Sequence, residues 1–207
     1  MNNLPSTITI LKSDDTQKKI HRRIQEFKNT DTHSAEELFS ELCFCILTAN
    51  FNSERTIHIH RNLHSSFSKE TKKSLEKKLR EQGYRFPHTR AVYIIDARSK
   101  KDILPTIIHT YDHEKRRDWL AQNIPGIGYK EASHFLRNIG FDDYAIIDFH
   151  ILDILQRNHL ITTPKTLTTK KYKEIESILR ILATQTQLTL AELDLYLWYL
   201  ETGTILK

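Results

Sequence analysis

The stretch from Leu38 to Ala49 constrains the fold more than any other part of the chain. Leu42, Phe44, Ile46 and Leu47 spread apolar side chains around nearly the whole circumference of a helix. A helix that is apolar on all sides is stable only when other elements cover it, so the stretch predicts a buried central helix wrapped by further helices. Ser34 followed three residues later by Glu37 predicts a capping box at its start.

The rest of the chain agrees with an all-α fold. Apolar residues recur at helical spacing, and clean two-residue alternation bounded by hairpin turns is missing. Ile20, Ile24 and Phe27 mark an amphipathic helix before the central one. Further helices are predicted over 54–64, 69–81, 88–98, 102–110 and 113–123, then near 148–158, 169–184 and 189–202, the last stopped by Gly203 at its C-cap. Gln82-Gly83-Tyr84 and Ile124-Pro125-Gly126 read as turns, and Thr162 to Thr169 as a polar connection. Only five Gly and five Pro occur in 207 residues, which argues for order and against low-complexity linkers.

Composition narrows the function only by exclusion. Thirty-one Lys and Arg against twenty-six Asp and Glu give a formal charge of +5, which permits nucleic acid as a partner without requiring it. Cys43 and Cys45 are the only cysteines, so the chain cannot itself supply the four ligands of an iron-sulfur cluster. No apolar run approaches the length of a membrane span, and Met1 to Pro5 does not open a signal peptide. The expected location is cytoplasmic.

Chemistry concentrates after residue 120. A helical pattern breaks at Ile124-Pro125-Gly126-Ile127-Gly128 and resumes at Tyr129. Gly126 and Gly128 can take positive φ and carry no side chain, so the backbone N–H groups opening the second helix can approach a phosphate. Glycine equally suits a tight link between antiparallel helices, and both readings stand at this level. Ala132, Phe135, Leu136 and Ile139 form the apolar stripe of the second helix, which turns Lys130 roughly 200° away from it. A cation in a first helical turn opposes the helix dipole, a setting that favours a neutral, nucleophilic amine; an ordinary surface lysine fits the same position. Asp148 follows the apolar run Tyr144-Ala145-Ile146-Ile147 and precedes helical spacing through Ile151, Leu152, Ile154 and Leu155. It reads as an N-cap, a role that also holds a carboxylate rigid for chemistry.

These segments resemble the helix-hairpin-helix superfamily of DNA glycosylases. Leu120-Ala121-Gln122-Asn123-Ile124-Pro125-Gly126-Ile127-Gly128-Tyr129-Lys130 is similar to its hairpin, and Asp148-Phe149-His150 to its Asp-x-His. Glu41 to Phe51, Tyr84-Arg85-Phe86-Pro87 with Arg90 to Ile94, and Leu197-Trp198-Tyr199-Leu200 with Leu206-Lys207 further resemble the type 2 8-oxoguanine DNA glycosylases of archaea and some bacteria.

The resemblance implies two helical lobes about a central cleft, residues 34–140 forming one and 1–33 with 141–207 the other. It implies a monomeric enzyme acting on double-stranded DNA that contains 8-oxoguanine, nucleoid-associated when on DNA. Lys130 would be the nucleophile and Asp148 its assisting carboxylate. Phe86 and Trp198 would sandwich the flipped base, although core packing suits both aromatics as well. Lys207 would offer a terminal carboxylate to the N7 hydrogen of the oxidised purine. Gly126, Gly128 and His150 would contact DNA phosphate, His150 reading equally well as a partly exposed helix histidine. The backbone carbonyls of Gln122, Ile124 and Ile127 would hold a monovalent cation, with no cofactor required. Two rivals remain at this level: a non-catalytic DNA-binding module, which has no need of Lys130 and Asp148, and a glycosylase for oxidised pyrimidines, disfavoured by the missing cysteines and by Lys207.

Overall fold

The computed structural model describes residues 3–12 and 15–207, and those residues form helices and loops without a strand. The chain divides into two compact units: residues up to Asn29 with Leu136–Leu206, and Thr30–Phe135 with Lys207. These borders fall at 29/30 and 135/136, where the sequence suggested 33/34 and 140/141.

The second unit is built on α3 (Ala35–Thr48), the predicted central helix. Every residue from Leu38 to Ala49 is buried, and Leu38, Phe39, Leu42 and the stretch Cys43 to Leu47 are fully enclosed. Around it pack α4 (Ser53–Leu63), α6 (Pro87–Arg98) and α7 (Leu104–Thr110), with α5 (Lys72–Glu81) on α6 and α8 (His113–Asn123) on α7. The C-terminal carbonyls of α3 have no intrahelical partners, and two side chains supply them. The Tyr84 hydroxyl donates to Leu47 O at 2.6 Å and the buried Arg90 guanidinium to Ala49 O at 2.6 Å. Burial raises the Tyr84 phenol above its usual pKa, against the lowering effect of Arg90.

The predicted capping box at the start of α3 is only half formed. Ser34 Oγ accepts the Glu37 N–H at 3.2 Å, but Glu37 turns away to accept the Asp31 N–H at 3.0 Å. The Ser34 N–H is already held by the Asp31 carbonyl, so the reciprocal bond has no donor left.

The first unit contains α1 (Leu4–Leu11), α2 (Asp15–Lys28), α10 (Phe149–Arg157), α11 (Thr169–Thr186) and α12 (Leu190–Thr202). Helix α12 packs on α1, α2, α10 and α11 and ends at Gly203 in the left-handed region, as predicted for that C-cap. Helix α1 is absent from the apolar-spacing pattern because Thr7-Ile8-Thr9-Ile10 alternates with the period of a strand. It is set instead by its end: Asn3 accepts the Ser6 N–H at 3.0 Å, Pro5 stands in the first turn, and Leu4 and Ile8 supply one buried face.

Candidate active site

The hairpin lies in the second unit and is built by a turn. Helix α8 ends at Asn123 and α9 (Tyr129–Asn138) begins at Tyr129, as the sequence indicates. Between them the Ile127 N–H donates to Ile124 O at 3.2 Å, with Pro125 and Gly126 at the two central positions and Gly126 at φ +81°. Proline followed by a glycine at positive φ is the arrangement of a type II turn. Ile124 and Ile127 are buried and pin both arms.

The two glycines differ in kind. A Cβ on Gly126 would lie 2.4 Å from Cδ2 of Tyr93, so its bareness serves close packing against that ring as well as positive φ. Gly128, which immediately precedes the first turn of α9, does not take the positive φ open to it. Its N–H donates to Glu131 Oε2 at 3.2 Å. Arg117, fully enclosed on α8, braces the hairpin: its guanidinium lies 4.8 Å from the Tyr129 ring and 3.4 Å from Ser133 Oγ, while the Tyr129 hydroxyl donates to Asp118.

Lys130 stands in the first turn of α9 and is half-buried. Its Nζ is 3.8 Å from Glu131 Oε1, so one carboxylate faces both the lysine and the Gly128 N–H.

Asp148 belongs to the first unit, and a buried strap delivers it. Tyr144 to Ile147 are enclosed yet not helical, so their backbone polar groups need partners from elsewhere. Helix α11 provides them. Glu176 accepts the Ala145 N–H at 3.1 Å, and the Tyr172 hydroxyl donates to Ala145 O at 2.7 Å while accepting the Ile147 N–H at 3.1 Å. The strap ends at Asp148, which caps α10 by accepting the Ile151 N–H on Oδ1 at 3.0 Å. One carboxylate oxygen is thereby spent on structure and the other has no partner among the described residues.

Trp198, on α12, is half-buried, with its Nε1 enclosed and unpaired among the described residues. The His150 ring meets it edge-on at 5.1 Å, and the ring of Phe149, 71% exposed, lies tilted 3.8 Å from that of His150. Of the predicted core stripe of α12, Leu193, Tyr196 and Leu197 are buried while Leu200 is half-buried. In the second unit Phe86 is half-buried at the start of α6, with the Arg85 guanidinium 4.8 Å and that of Arg90 5.9 Å from its ring. Lys207 groups with this unit too. Its Nζ pairs with Glu41 of α3 and lies 4.7 Å from the Phe44 ring.

For a cation at the hairpin, the donors on hand are neutral carbonyl oxygens, a set that suits a hard, weakly charged ion. The Ile124 carbonyl already accepts one hydrogen bond and retains a second lone pair. No cluster of three or more His, Cys, Asp or Glu able to hold a metal occurs among the described residues.

Sequence reasoning assigned no role to Glu131, Arg117 or Glu41. Glu41 alone carried a legible signal, a charge inside an otherwise apolar helix.

Two helices joined by a glycine turn, with a lysine opening the second and a capping aspartate downstream, define the class of helix-hairpin-helix DNA glycosylases. A family model described as 8-oxoguanine DNA glycosylase matches residues 20–188. The 8-oxoguanine DNA glycosylase/AP lyase of Methanocaldococcus jannaschii is 50% identical over 199 residues, covering 95% of this chain and 96% of that protein. The crystal structure of the M. jannaschii enzyme in complex with a 15mer DNA containing 8-oxoguanine superposes with a TM-score of 0.95 at 49% identity over 99% of each chain. That of the Thermotoga maritima 8-oxoguanine DNA glycosylase gives 0.93 at 37% identity, over 99% of this chain and 98% of that one. The chain belongs to the 8-oxoguanine DNA glycosylase family. No helix among the described residues is long and apolar enough to cross a membrane.

Proposed function

We propose that this chain excises 8-oxoguanine from duplex DNA and then nicks the strand 3′ to the abasic site, using Lys130 as nucleophile and Asp148 as the assisting carboxylate. The observation that carries the reading is the state of these two groups. Lys130 is a half-buried amine in the first turn of the hairpin's second helix, and Asp148 is a rigid cap with one oxygen uncommitted.

The target nucleotide has to leave the stack before its sugar can be reached. Phe86 and Trp198 would stack on the extruded purine, and Lys207 would read its N7 hydrogen. Neutral Lys130 attacks C1′ as the N-glycosidic bond breaks and the base departs with that bond's electron pair. Asp148 stabilises the positive charge that develops on the sugar and takes part in moving the lysine's proton. Opening of the sugar ring gives a protonated imine between Lys130 and C1′. This electron sink acidifies the 2′ hydrogen, and its removal expels the 3′ phosphate. Water then hydrolyses the imine and returns the amine.

Gly126, Gly128 and His150 would face the DNA backbone. A phosphate at the start of α9 would compete with Glu131 for the Gly128 N–H. The carbonyls of Gln122, Ile124 and Ile127 would hold a monovalent cation, which when bound adds positive charge beside that phosphate. Such an enzyme works on the nucleoid in the cytoplasm.

The test is borohydride trapping on duplex DNA containing 8-oxoguanine. Reduction of the imine should cross-link the wild-type protein to DNA, and Lys130→Gln should bind the duplex without cross-linking. Trapping of the variant at the wild-type level would remove Lys130 from the nucleophile's role.

A further inference from the structure

Glu41 is the one charged residue in the buried length of α3, between Leu38 and Ala49, and it is 7% exposed. A carboxylate in such surroundings forfeits several kcal/mol of hydration unless a cation and hydrogen bonds compensate it, so its presence in the central helix calls for a reason. The cation it meets is the ammonium of Lys207, which is also held 4.7 Å from the ring of Phe44, one turn away from Glu41 on the same face. Burial and the nearby charge of Lys207 together hold His60, which donates to or accepts from Ser40 beside Glu41, at a pKa of about 4. A lysine following a short stretch of non-helical chain would ordinarily fray. Here its ammonium is engaged twice by α3, by the Glu41 carboxylate and by the Phe44 ring.

We propose that Glu41 is the positioning residue for Lys207: its buried carboxylate grips the lysine ammonium on α3 and so fixes the backbone of the residue that reads the oxidised base. The inference rests on the assignment of Lys207 to base recognition. It adds a division of labour within one residue, the ammonium serving as anchor and the main chain as reader. Neither Glu41 nor the Lys207 side chain takes part in the lyase step.

Three changes separate the parts. Glu41→Gln keeps the shape but releases the ammonium, Lys207→Met releases the carboxylate while keeping the main chain, and deletion of Lys207 removes the reader. Single-turnover excision is measured on duplexes with 8-oxoguanine and with guanine at one position, and strand cleavage on a duplex carrying a preformed abasic site. Glu41→Gln and Lys207→Met should each lower the preference for 8-oxoguanine about tenfold, equivalent to about 1.4 kcal/mol. The double variant should lose no more than either single one, because both remove the same pair. For Glu41→Gln, cleavage at the abasic site, where no base is read, should stay at the wild-type rate, and that readout separates positioning from general damage to the fold. A wild-type preference in Glu41→Gln, multiplied losses in the double variant, or an equal loss at the abasic site each overturns the proposal. If deletion of Lys207 leaves the preference unchanged, the base-recognition assignment itself falls and the proposal with it. If deletion lowers the preference while Glu41→Gln does not, the assignment stands and only the role of Glu41 is lost.

Discussion

Replacement of Gly126 by alanine puts the construction of the hairpin to a quantitative test. The residue sits at φ +81°, where an L side chain costs roughly 1–2 kcal/mol. The new Cβ would also fall 2.4 Å from Cδ2 and 2.9 Å from Cε2 of Tyr93, a contact that only movement of the ring or the turn can relieve. Overpacking of this kind adds roughly 1–3 kcal/mol, for a total of about 2–5 kcal/mol. In a chain of this length that corresponds to a fall in Tm of roughly 4–20 °C. Gly128→Ala is the internal control. Its backbone needs no positive φ, and its Cβ would meet only the Glu131 carboxylate, at 3.3 Å. That side chain can swing, so the change should stay within about 0.5 kcal/mol. Thermal unfolding followed by circular dichroism, with urea titration to confirm the ranking, measures both. Pairing Gly126→Ala with Tyr93→Ala should recover the steric part of the loss and leave the backbone part. Equal stability of the two single alanine variants would refute the argument, since it would mean that neither the ring contact nor the left-handed backbone constrains the turn.

Two further outcomes follow from single residues. His60 is held neutral down to about pH 4 by burial, reinforced by Lys207, whereas in the unfolded chain it takes up its proton near 6.5. Between these values the unfolded state binds more protons, so stability present above pH 6.5 should fall by about 3 kcal/mol as the pH drops toward 4. His60→Gln should flatten that part of the profile in acid unfolding experiments, and an unaltered slope would exclude His60 as its source. Asp148→Asn should keep the cap, since asparagine caps a helix as well as aspartate does, and should keep Tm while base excision is lost. Activity at the wild-type rate would show that the negative charge of Asp148 is not needed.

What was legible in the sequence is local. The hairpin's limits could be read from Ile124-Pro125-Gly126-Ile127-Gly128 because proline and glycine act on the backbone where they stand, and α8 and α9 stop and start at Asn123 and Tyr129. Asp148 as a cap and Gly203 as a stop are local in the same way. What escaped depends on distant parts of the chain. Nothing near Glu41 foretells Lys207, nothing near Ala145 foretells Tyr172 and Glu176, and Arg117 in a charged segment gives no sign that the fold encloses it. The half-formed box at Ser34 is an intermediate case: the motif is present, but the Asp31 carbonyl had taken the donor it needed. Lys130, Trp198 and Lys207 could be named by type and spacing, while the neighbours each meets, Glu131 at Lys130, the His150 ring at Trp198 and Glu41 at Lys207, could not.

Both residues assigned to the chemistry stand at helix starts, and the physics of those positions explains why. A helix start has unsatisfied N–H groups and a positive field, and it is among the stiffest points at which a loop can hand a side chain to a site. At α10 those donors fix Asp148 through Oδ1 and leave the other oxygen without a partner among the described residues, so capping orients the carboxylate. At α9 the same field meets a cation, and capping alone would work against Lys130. Glu131 answers that conflict, since its carboxylate accepts the Gly128 N–H and lies 3.8 Å from the amine. A DNA phosphate reaching the start of α9 would contend with Glu131 for that N–H. The residue that satisfies the helix start in the free protein is therefore the one through which arrival of DNA would be felt at the Lys130 amine.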